Sequence, residues 1–244
     1  MIIPQRRFDN TPVTSMKLFP CHRWDLEYRQ ALALQKELAA RVRLRPLSLR
    51  TIRRVAGADI AVSKGAGTGV GAVVVFDFPS LEIVEERVSR VELSFPYIPG
   101  LLSFREIPVL MECLRQVREP FDVMLCDGQG IAHPRGVGLA SHLGLLLRKP
   151  TIGCAKSLLV GEYHDIGLRR GDSAPLRYEG KRVGTVLRTQ DGVRPVYVSP
   201  GYLVDHASSR RIALACATRY RIPEPTRQAD RLAGQEKRRL EAGL

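Results

Sequence analysis

The spacing of apolar positions along the chain separates helices from strands. Helical spacing runs over Asp25–Val42, with Asp25 in the position of an N-cap. Strand-like apolar runs follow at Arg53–Val62, Val70–Phe78 and Leu81–Leu93. Only short turn sequences separate these three runs, which predicts an antiparallel meander.

The rest of the chain alternates between helical and strand-like patterns. Helices are predicted over Leu102–Val117, Gly136–Leu147, Ser208–Tyr220 and Thr226–Leu240, and strands over Phe121–Asp127, Thr151–Lys156, Arg182–Arg188 and Pro195–Val198. Pro108 must lie in the first turn of its helix or kink it, because proline lacks a backbone N–H. Three antiparallel strands before this alternation predict an α/β, ribonuclease H-like fold with a mixed sheet flanked by helices. The second half alone also fits a Rossmann-type sheet.

Length and composition allow one large α/β domain or two small ones. The chain has 244 residues, of which 44% are hydrophobic. We expect one monomeric domain over 1–244, with a basic helical segment over 1–52 and the sheet-containing core over 53–240. No window approaches the roughly 18 consecutive apolar residues of a membrane helix. The opening "MIIPQRRFDN" lacks the apolar core of a signal peptide, so we expect no membrane association.

The cysteines predict thiols rather than disulfides or a zinc site. Cys21, Cys113, Cys126, Cys154 and Cys216 are odd in number, scattered and without a CxxC pair. Two of them also fall in apolar runs. Buried thiols in a reducing compartment are the simplest interpretation, so we predict a cytoplasmic protein.

The formal net charge of +13 lies in the two terminal segments. Residues 1–54 hold 12 basic and 4 acidic side chains, net +8, and residues 206–244 hold 9 and 4, net +5. Residues 55–205 hold 17 of each and are neutral. Basic flanks favour a polyanionic partner such as nucleic acid, because each neutralised phosphate releases counterions. An inert basic surface is the alternative.

Two aspartates occupy unusual places on the predicted strands. Alternation puts Asp59 on one strand face with Val55, Gly57 and Ala61, and Asp127 ends its own short strand. A carboxylate in such a place must bind a cation, find a positive partner or reach solvent. If the two strands are neighbours, the acids meet at one end of the sheet and can share Mg²⁺, which prefers oxygen ligands. A cap or turn is the alternative for either acid alone.

Three further charged residues are candidates for the same sheet edge. Glu106 and Asp230 lie on predicted helices, and Lys156 ends a strand from which it could contact a phosphate. On spacing alone, the two glutamate and aspartate side chains could instead be solvated acids on helices, and the lysine could be an ordinary exposed residue at the end of a strand.

Glycines and prolines mark three loops. "GAGTGVG" (65–71) precedes a strand rather than a helix, so a hairpin is favoured over a nucleotide-binding loop. "DGQGIAHPRGVG" (127–138) lets backbone approach a ligand closely and could turn His133 toward a metal or phosphate, although a lone loop histidine is more often structural. "FPYIPG" (95–100) holds Tyr97 between two prolines, where a rigid aromatic could fill a base stack or simply pack.

Several motifs together carry a resemblance to a known family. "VAGADIAV", "PYIPGLLSFRE", "CDGQGIAHPRGVGLASHLG", "GCAKSLLVG", "VYVSPGYLVD" and "RIPEPTRQAD" occur in one order over roughly residues 55–230. The sequence closely resembles the endonuclease V family of deoxyinosine-directed repair nucleases. That resemblance also implies the ribonuclease H-like fold.

The resemblance implies a role for each candidate residue. Asp59 and Asp127 would bind the catalytic Mg²⁺ or Mn²⁺, with Glu106 and Asp230 completing the acidic centre. Lys156 and His133 match residues near the scissile phosphate, and Tyr97 matches the wedge that enters the space left by the displaced base. The hypoxanthine pocket would be lined by Pro99, Gly100, Leu102, Gly128, Gly138 and Leu159. Tyr202 departs from the pattern, since the family usually has histidine after "SPG".

The implied activity is hydrolysis of the second phosphodiester bond 3′ to deoxyinosine, leaving 3′-hydroxyl and 5′-phosphate ends. Inosine in RNA is a further candidate substrate. A non-catalytic nucleic-acid binder explains the basic flanks but not the acids at strand ends. A Rossmann-type nucleotide or small-molecule enzyme explains the glycines but lacks the fingerprint and its acidic ribose partner.

Overall fold

The computed structural model of the protein describes residues 16–19, 22–63, 65 and 67–243. Within these residues, eight strands form one sheet: β1 Arg54–Ser63, β2 Thr68–Asp77, β3 Ile83–Glu92, β4 Val123–Cys126, β5 Thr151–Ala155, β6 Ser173–Tyr178, β7 Lys181–Leu187 and β8 Val196–Tyr202. The helices are α1 Tyr28–Arg41, α2 Leu102–Arg115, α3 Leu139–Leu147, α4 His206–Cys216 and α5 Glu224–Glu241.

The sheet order is β3-β2-β1-β4-β5-β8-β7-β6. The three central strands β1, β4 and β5 run parallel, and the other neighbouring pairs run antiparallel. The predicted antiparallel meander is therefore confirmed. The Rossmann-type alternative for the second half is wrong, because β8, β7 and β6 continue the sheet beyond β5 in antiparallel pairs. The predicted hairpin is confirmed, since β1 and β2 pair antiparallel up to Ser63 and Thr68.

Apolar layers cover both faces of the central strands. One layer joins alternate β1 and β4 side chains to Ile212 of α4 and Ala229 of α5. The other joins Ala56 and Ala58 of β1 to α2 and α3. The predicted alternation along β1 is thus confirmed, and it puts Asp59 on the face that α5 covers.

Three details of the sequence-based prediction are wrong. The first helix begins at Tyr28 rather than Asp25, with Glu27 as its N-cap and Gln30 as its reciprocal capping partner. Pro108 lies in the second turn of α2, so of the two alternatives for this proline the first-turn position is wrong. Strand β6 was not predicted, because its proline and its short apolar alternation resemble a loop. β6 is the last strand on its side of the sheet, and an edge strand is where a proline, which lacks a backbone N–H, is tolerated.

The part of the chain that the structure describes contains no helix long and apolar enough to cross a membrane. Its four cysteines, Cys113, Cys126, Cys154 and Cys216, are free and buried, as predicted. Cys21 lies outside the described residues.

Candidate active site

The strand order brings Asp59 and Asp127 together. β1 and β4 are parallel neighbours in which Ala58 pairs with Cys126, and the Asp127 amide donates to the Ala58 carbonyl at 3.2 Å. Each aspartate is the next residue after this aligned pair, so both lie at the same level of the sheet, where the parallel pairing of β1 with β4 ends. The condition set by the sequence, that the two strands be neighbours, is confirmed.

Asp230 approaches this pair from the α5 side of the sheet. Gly57 lets α5 come close, because a Cβ there would overlap the backbone of Pro225. Burial raises the pKa of Asp59 to about 8, and the negative charges of Asp127 and Asp230 raise it as well. The three carboxyl groups are therefore close enough to repel one another.

Glu106 approaches from the opposite face, on α2. Burial raises its pKa to about 8, and the charge of Asp127 adds to the effect. Asp127 thus neighbours Asp59 and Asp230 on one side and Glu106 on the other. We call these four carboxylates the acidic edge.

A lysine supplies positive charge to the acidic edge. β5 runs parallel to β4, as the sequence-based expectation required, and Nζ of Lys156 lies 2.5 Å from Asp127 Oδ2 and 3.2 Å from Asp230 Oδ2. Burial lowers the pKa of Lys156, but its interactions with Asp127 and Asp230 outweigh this effect and raise the pKa overall. The Arg221 guanidinium fixes the strand end by donating to the Lys156 carbonyl oxygen at 2.6 Å.

The donor chemistry of the acidic edge fits a hard divalent cation. Its groups are all carboxylate oxygens, and their mutual repulsion is relieved when a cation binds. Among the described residues, no three histidine, cysteine or acidic side chains are yet arranged to hold a metal ion. The acids are divided between two faces of the sheet, and the Lys156 ammonium group lies between Asp127 and Asp230.

A cavity of about 410 Å³ opens beside the acidic edge. Its wall includes all seven residues expected to bind substrate, the expected metal ligand Asp127 and the two residues expected near the phosphate: Tyr97, Pro99, Gly100, Leu102, Gly128, Gly138, Leu159, Asp127, His133 and Lys156. Asp59, Glu106 and Asp230 lie outside this lining. Asp127 and Lys156 therefore belong to both the cavity and the acidic edge, whereas the contact of the wall with a base stays a prediction.

Close backbone packing explains two glycines of the cavity wall. Gly100 has φ of +79°, and a Cβ there would lie 2.5 Å from the Arg135 guanidinium. A Cβ at Gly138 would overlap the carbonyl of Gln129. A side chain would strain the backbone at Gly100, because of its positive φ, and would push the wall apart at Gly138.

His133 is a buried, neutral member of the wall. It is 6% exposed, and its Nδ1 accepts a hydrogen bond from the Arg135 amide at 3.2 Å. Burial lowers its pKa to about 4, and the charge of Arg135 acts in the same direction. The ring is therefore fixed as an uncharged imidazole; its contact with a phosphate stays a prediction.

The sequence-based analysis missed several residues of the wall. Gln35, Ser103, Gln129 and Leu158 also line the cavity. The sequence contained one signal for Gln35: it is a polar residue on an otherwise apolar face of a helix, which indicates a buried side chain with hydrogen-bond partners. Tyr202, the departure from the family pattern, packs against an apolar cluster with Leu38, Val137 and Leu145.

The chain belongs to the ribonuclease H-like class of α/β proteins, as its strand order and the acids where its central parallel strands cease to pair indicate. The family profile for Endonuclease V matches residues 36–231. An Endonuclease V of Azotobacter vinelandii is 48% identical over 212 residues, covering 87% of this chain and 96% of that protein. The chain belongs to the Endonuclease V family.

Solved structures agree with this assignment. The crystal structure of Endonuclease V from Streptomyces avermitilis has a TM-score of 0.86 at 43% identity, covering 95% of this chain and 100% of that one. An Endonuclease V of Ciona intestinalis, solved with a 23mer DNA containing an inosine followed by a ribo-adenosine, has a TM-score of 0.76 at 27% identity. That match covers 87% of this chain and 97% of the Ciona chain.

Proposed function

We propose that this protein recognises deoxyinosine in DNA and hydrolyses the second phosphodiester bond 3′ to it, leaving 3′-hydroxyl and 5′-phosphate ends. The observation that carries the proposal is the shared position of Asp127 and Lys156, which belong to both the acidic edge and the cavity wall. A base held in this cavity would keep its own backbone beside the carboxylates. The complex of the Ciona relative with inosine-containing DNA supports the same substrate.

Recognition would depend on fixed backbone groups around the base. Hypoxanthine has an acceptor at O6 and a donor at N1, whereas adenine reverses both, so a matched amide N–H and C=O would be left unpaired by adenine. Guanine shares that edge but carries a 2-amino group that a close wall excludes. Tyr97, 69% exposed at the cavity mouth, would fill the space left in the stack when the base is extruded.

Hydrolysis would take place at the acidic edge. Asp59 and Asp127 would hold Mg²⁺, for which Mn²⁺ would substitute, with Glu106 and Asp230 as further ligands. When bound, this cation would lower the pKa of a water molecule and stabilise the charge that develops on the phosphate. Lys156, already held beside Asp127 and Asp230, would contact the scissile phosphate, and His133 would lie near that phosphate as a fixed, uncharged group.

The cellular setting follows from the same residues. Free buried thiols support a reducing cytoplasmic compartment. The basic terminal segments support binding to the phosphate backbone, so affinity for DNA should fall as salt rises. We further propose that the protein acts as a monomer.

A cleavage assay tests the proposal. Purified protein with Mg²⁺ is incubated with end-labelled strands that carry one inosine or one adenosine at the same position, in DNA and in RNA. We expect a single product cut one nucleotide 3′ of inosine, cutting at adenosine that is slower by orders of magnitude, and loss of cutting in EDTA. An intact inosine strand beside a cleaved positive control contradicts the proposal. Binding without metal-dependent cleavage, retained in Asp127→Ala, would favour the non-catalytic binder instead.

A further inference from the structure

Gln35 is a buried polar residue of α1 that reaches the cavity wall. It is 1% exposed and shares its helix face with the buried Ala31 and Leu38. A glutamine in this setting needs partners for its carbonyl oxygen and both amide hydrogens. The structure supplies all three.

The Gln35 amide joins two wall segments that are distant in sequence. Its Nε2 donates to the Gly100 carbonyl at 3.0 Å and to the Val137 carbonyl at 2.8 Å. Its Oε1 accepts a hydrogen bond from Nε of Arg135. Turning the amide over would point an oxygen at two carbonyl oxygens and a donor at a guanidinium group, so the neighbours permit one orientation.

The Gly100 carbonyl is the centre of this network. It also accepts a hydrogen bond from Nη2 of Arg135 at 2.7 Å. A backbone carbonyl has two lone pairs, so Gln35 and Arg135, with His133 as a further hydrogen-bonding neighbour, use its acceptor capacity. Gln35, Gly100 and Val137 all line the cavity, and both carbonyls are therefore already paired before a base enters.

We propose that Gln35 is a positioning residue that fixes the separation of the two wall segments and, through it, the selectivity for hypoxanthine over adenine. The inference rests on the proposed function. Without Gln35, the Val137 carbonyl oxygen would need a new donor, while the Gly100 carbonyl would keep Arg135 but lose one of its partners. The amino group of adenine is such a donor, whereas O6 of hypoxanthine would be repelled.

The test replaces the amide while keeping the shape of the side chain. Gln35→Met has similar length and volume but no hydrogen-bonding group. The measured quantity is the ratio of kcat/KM for the inosine strand to that for the adenosine strand, which does not depend on the folded fraction. We expect the ratio to fall about tenfold, with unchanged affinity for undamaged duplex. A ratio equal to that of wild type overturns the inference.

A matched control separates positioning from general loosening of α1. Gln30→Met makes the same substitution on the same helix, where the side chain accepts from the Glu27 amide at 2.9 Å. We expect a lower melting temperature and the wild-type ratio. An equal fall of the ratio in both variants would assign the effect to helix stability and overturn the inference.

A second variant covers the case in which Gln35→Met does not fold, as judged by circular dichroism. Arg135→Lys keeps the charge but removes the forked donor pair that binds Gln35 and Gly100. A reduced ratio in this variant supports the network, and an unchanged ratio overturns it. Failure of the proposed function is separately visible, because wild type would then leave the inosine strand intact or cut inosine and adenosine strands alike.

Discussion

The acidic edge and the cavity share Asp127 and Lys156, yet their polar groups are satisfied in opposite ways. At the acidic edge, burial raises the pKa values of Asp59 and Glu106 to about 8 each, and the neighbouring negative charges add to this shift. In the cavity wall, Gln35 is fully paired and His133 is held neutral. The acidic edge therefore gains from an added cation, whereas the wall is complete as folded. Chemistry and recognition thus place different demands on adjacent residues.

The largest expected effect comes from removing the charge of Asp127, which neighbours the other three carboxylates of the acidic edge. Asp127→Asn should reduce cleavage about a thousandfold or more, because several kcal/mol of transition-state stabilisation depend on the cation it holds. Asp59→Asn should act similarly. Single-turnover cleavage of an inosine strand measures the loss. Cleavage within tenfold of wild type in either variant would contradict the assignment.

The same substitution at the other end of β4 is the matched control. Asp122 accepts hydrogen bonds from the amides of Arg53 and Arg54 at 2.7 and 3.0 Å, away from the acidic edge. Asp122→Asn should lower the free energy of unfolding but leave the cleavage rate of folded protein unchanged. A cleavage loss here as large as in Asp127→Asn would mean that strand distortion, rather than ligand loss, causes both.

A second test asks whether the wall depends on a neutral histidine. The folded-state pKa of His133 is about 4, below its ordinary value near 6.5, so the unfolded chain takes up a proton first as the pH falls. Stability is therefore full above about pH 6.5 and declines toward pH 4. Between pH 7.5 and 5 we expect the wild type to lose about 2 kcal/mol more than His133→Gln in urea unfolding. Parallel pH curves for the two proteins would show that His133 titrates normally.

A third test addresses the mouth of the cavity. Tyr97→Ala should weaken binding to inosine-containing duplex about tenfold through lost stacking and leave binding to undamaged duplex unchanged. Fluorescence anisotropy measures both. Tyr28→Ala, which removes an exposed tyrosine outside the cavity lining, is the control. Equal losses on both duplexes would make Tyr97 a general contact rather than a wedge.

The smallest expected effect is at Tyr202, which packs beneath the wall rather than facing it. A Cβ at Gly144 of α3 would lie 2.5 Å from the Tyr202 Cβ, so the two elements are in close contact. Tyr202→His, which restores the usual family residue, should lower the free energy of unfolding by about 1 kcal/mol. The cleavage rate of folded protein should not change. A tenfold change in that rate would place Tyr202 in the functional site.

The sequence predicted those parts of the molecule that depend on local pattern. The central strands were recognisable from apolar runs, and the acids at Asp59 and Asp127 from their unfavourable position on those runs. Strand β6 was missed because Pro175 and a short alternation carry little strand signal. The start of α1 was misplaced because Asp25 has the preferred capping chemistry, while Glu27 forms the actual capping box.

Interactions over long sequence distances could not be predicted. Gln35 binds backbone carbonyls 65 and 102 residues further along the chain, and a carbonyl carries no residue-specific signal. The division of the acids between two faces of the sheet likewise depends on the packing of α2 and α5 against β1. Residue types alone indicated that the acids converge, but not that Asp127 would be their common neighbour.

The position of Asp230 on α5 has a consequence for protein synthesis. Asp59 enters the chain 171 residues before Asp230. At about 5–20 residues per second, the ribosome needs roughly ten to thirty seconds to cover that distance. On the proposed mechanism, a nascent chain therefore carries a sheet without its full set of carboxylates for that time. On that mechanism, the nuclease would become complete only after the last helix has been made.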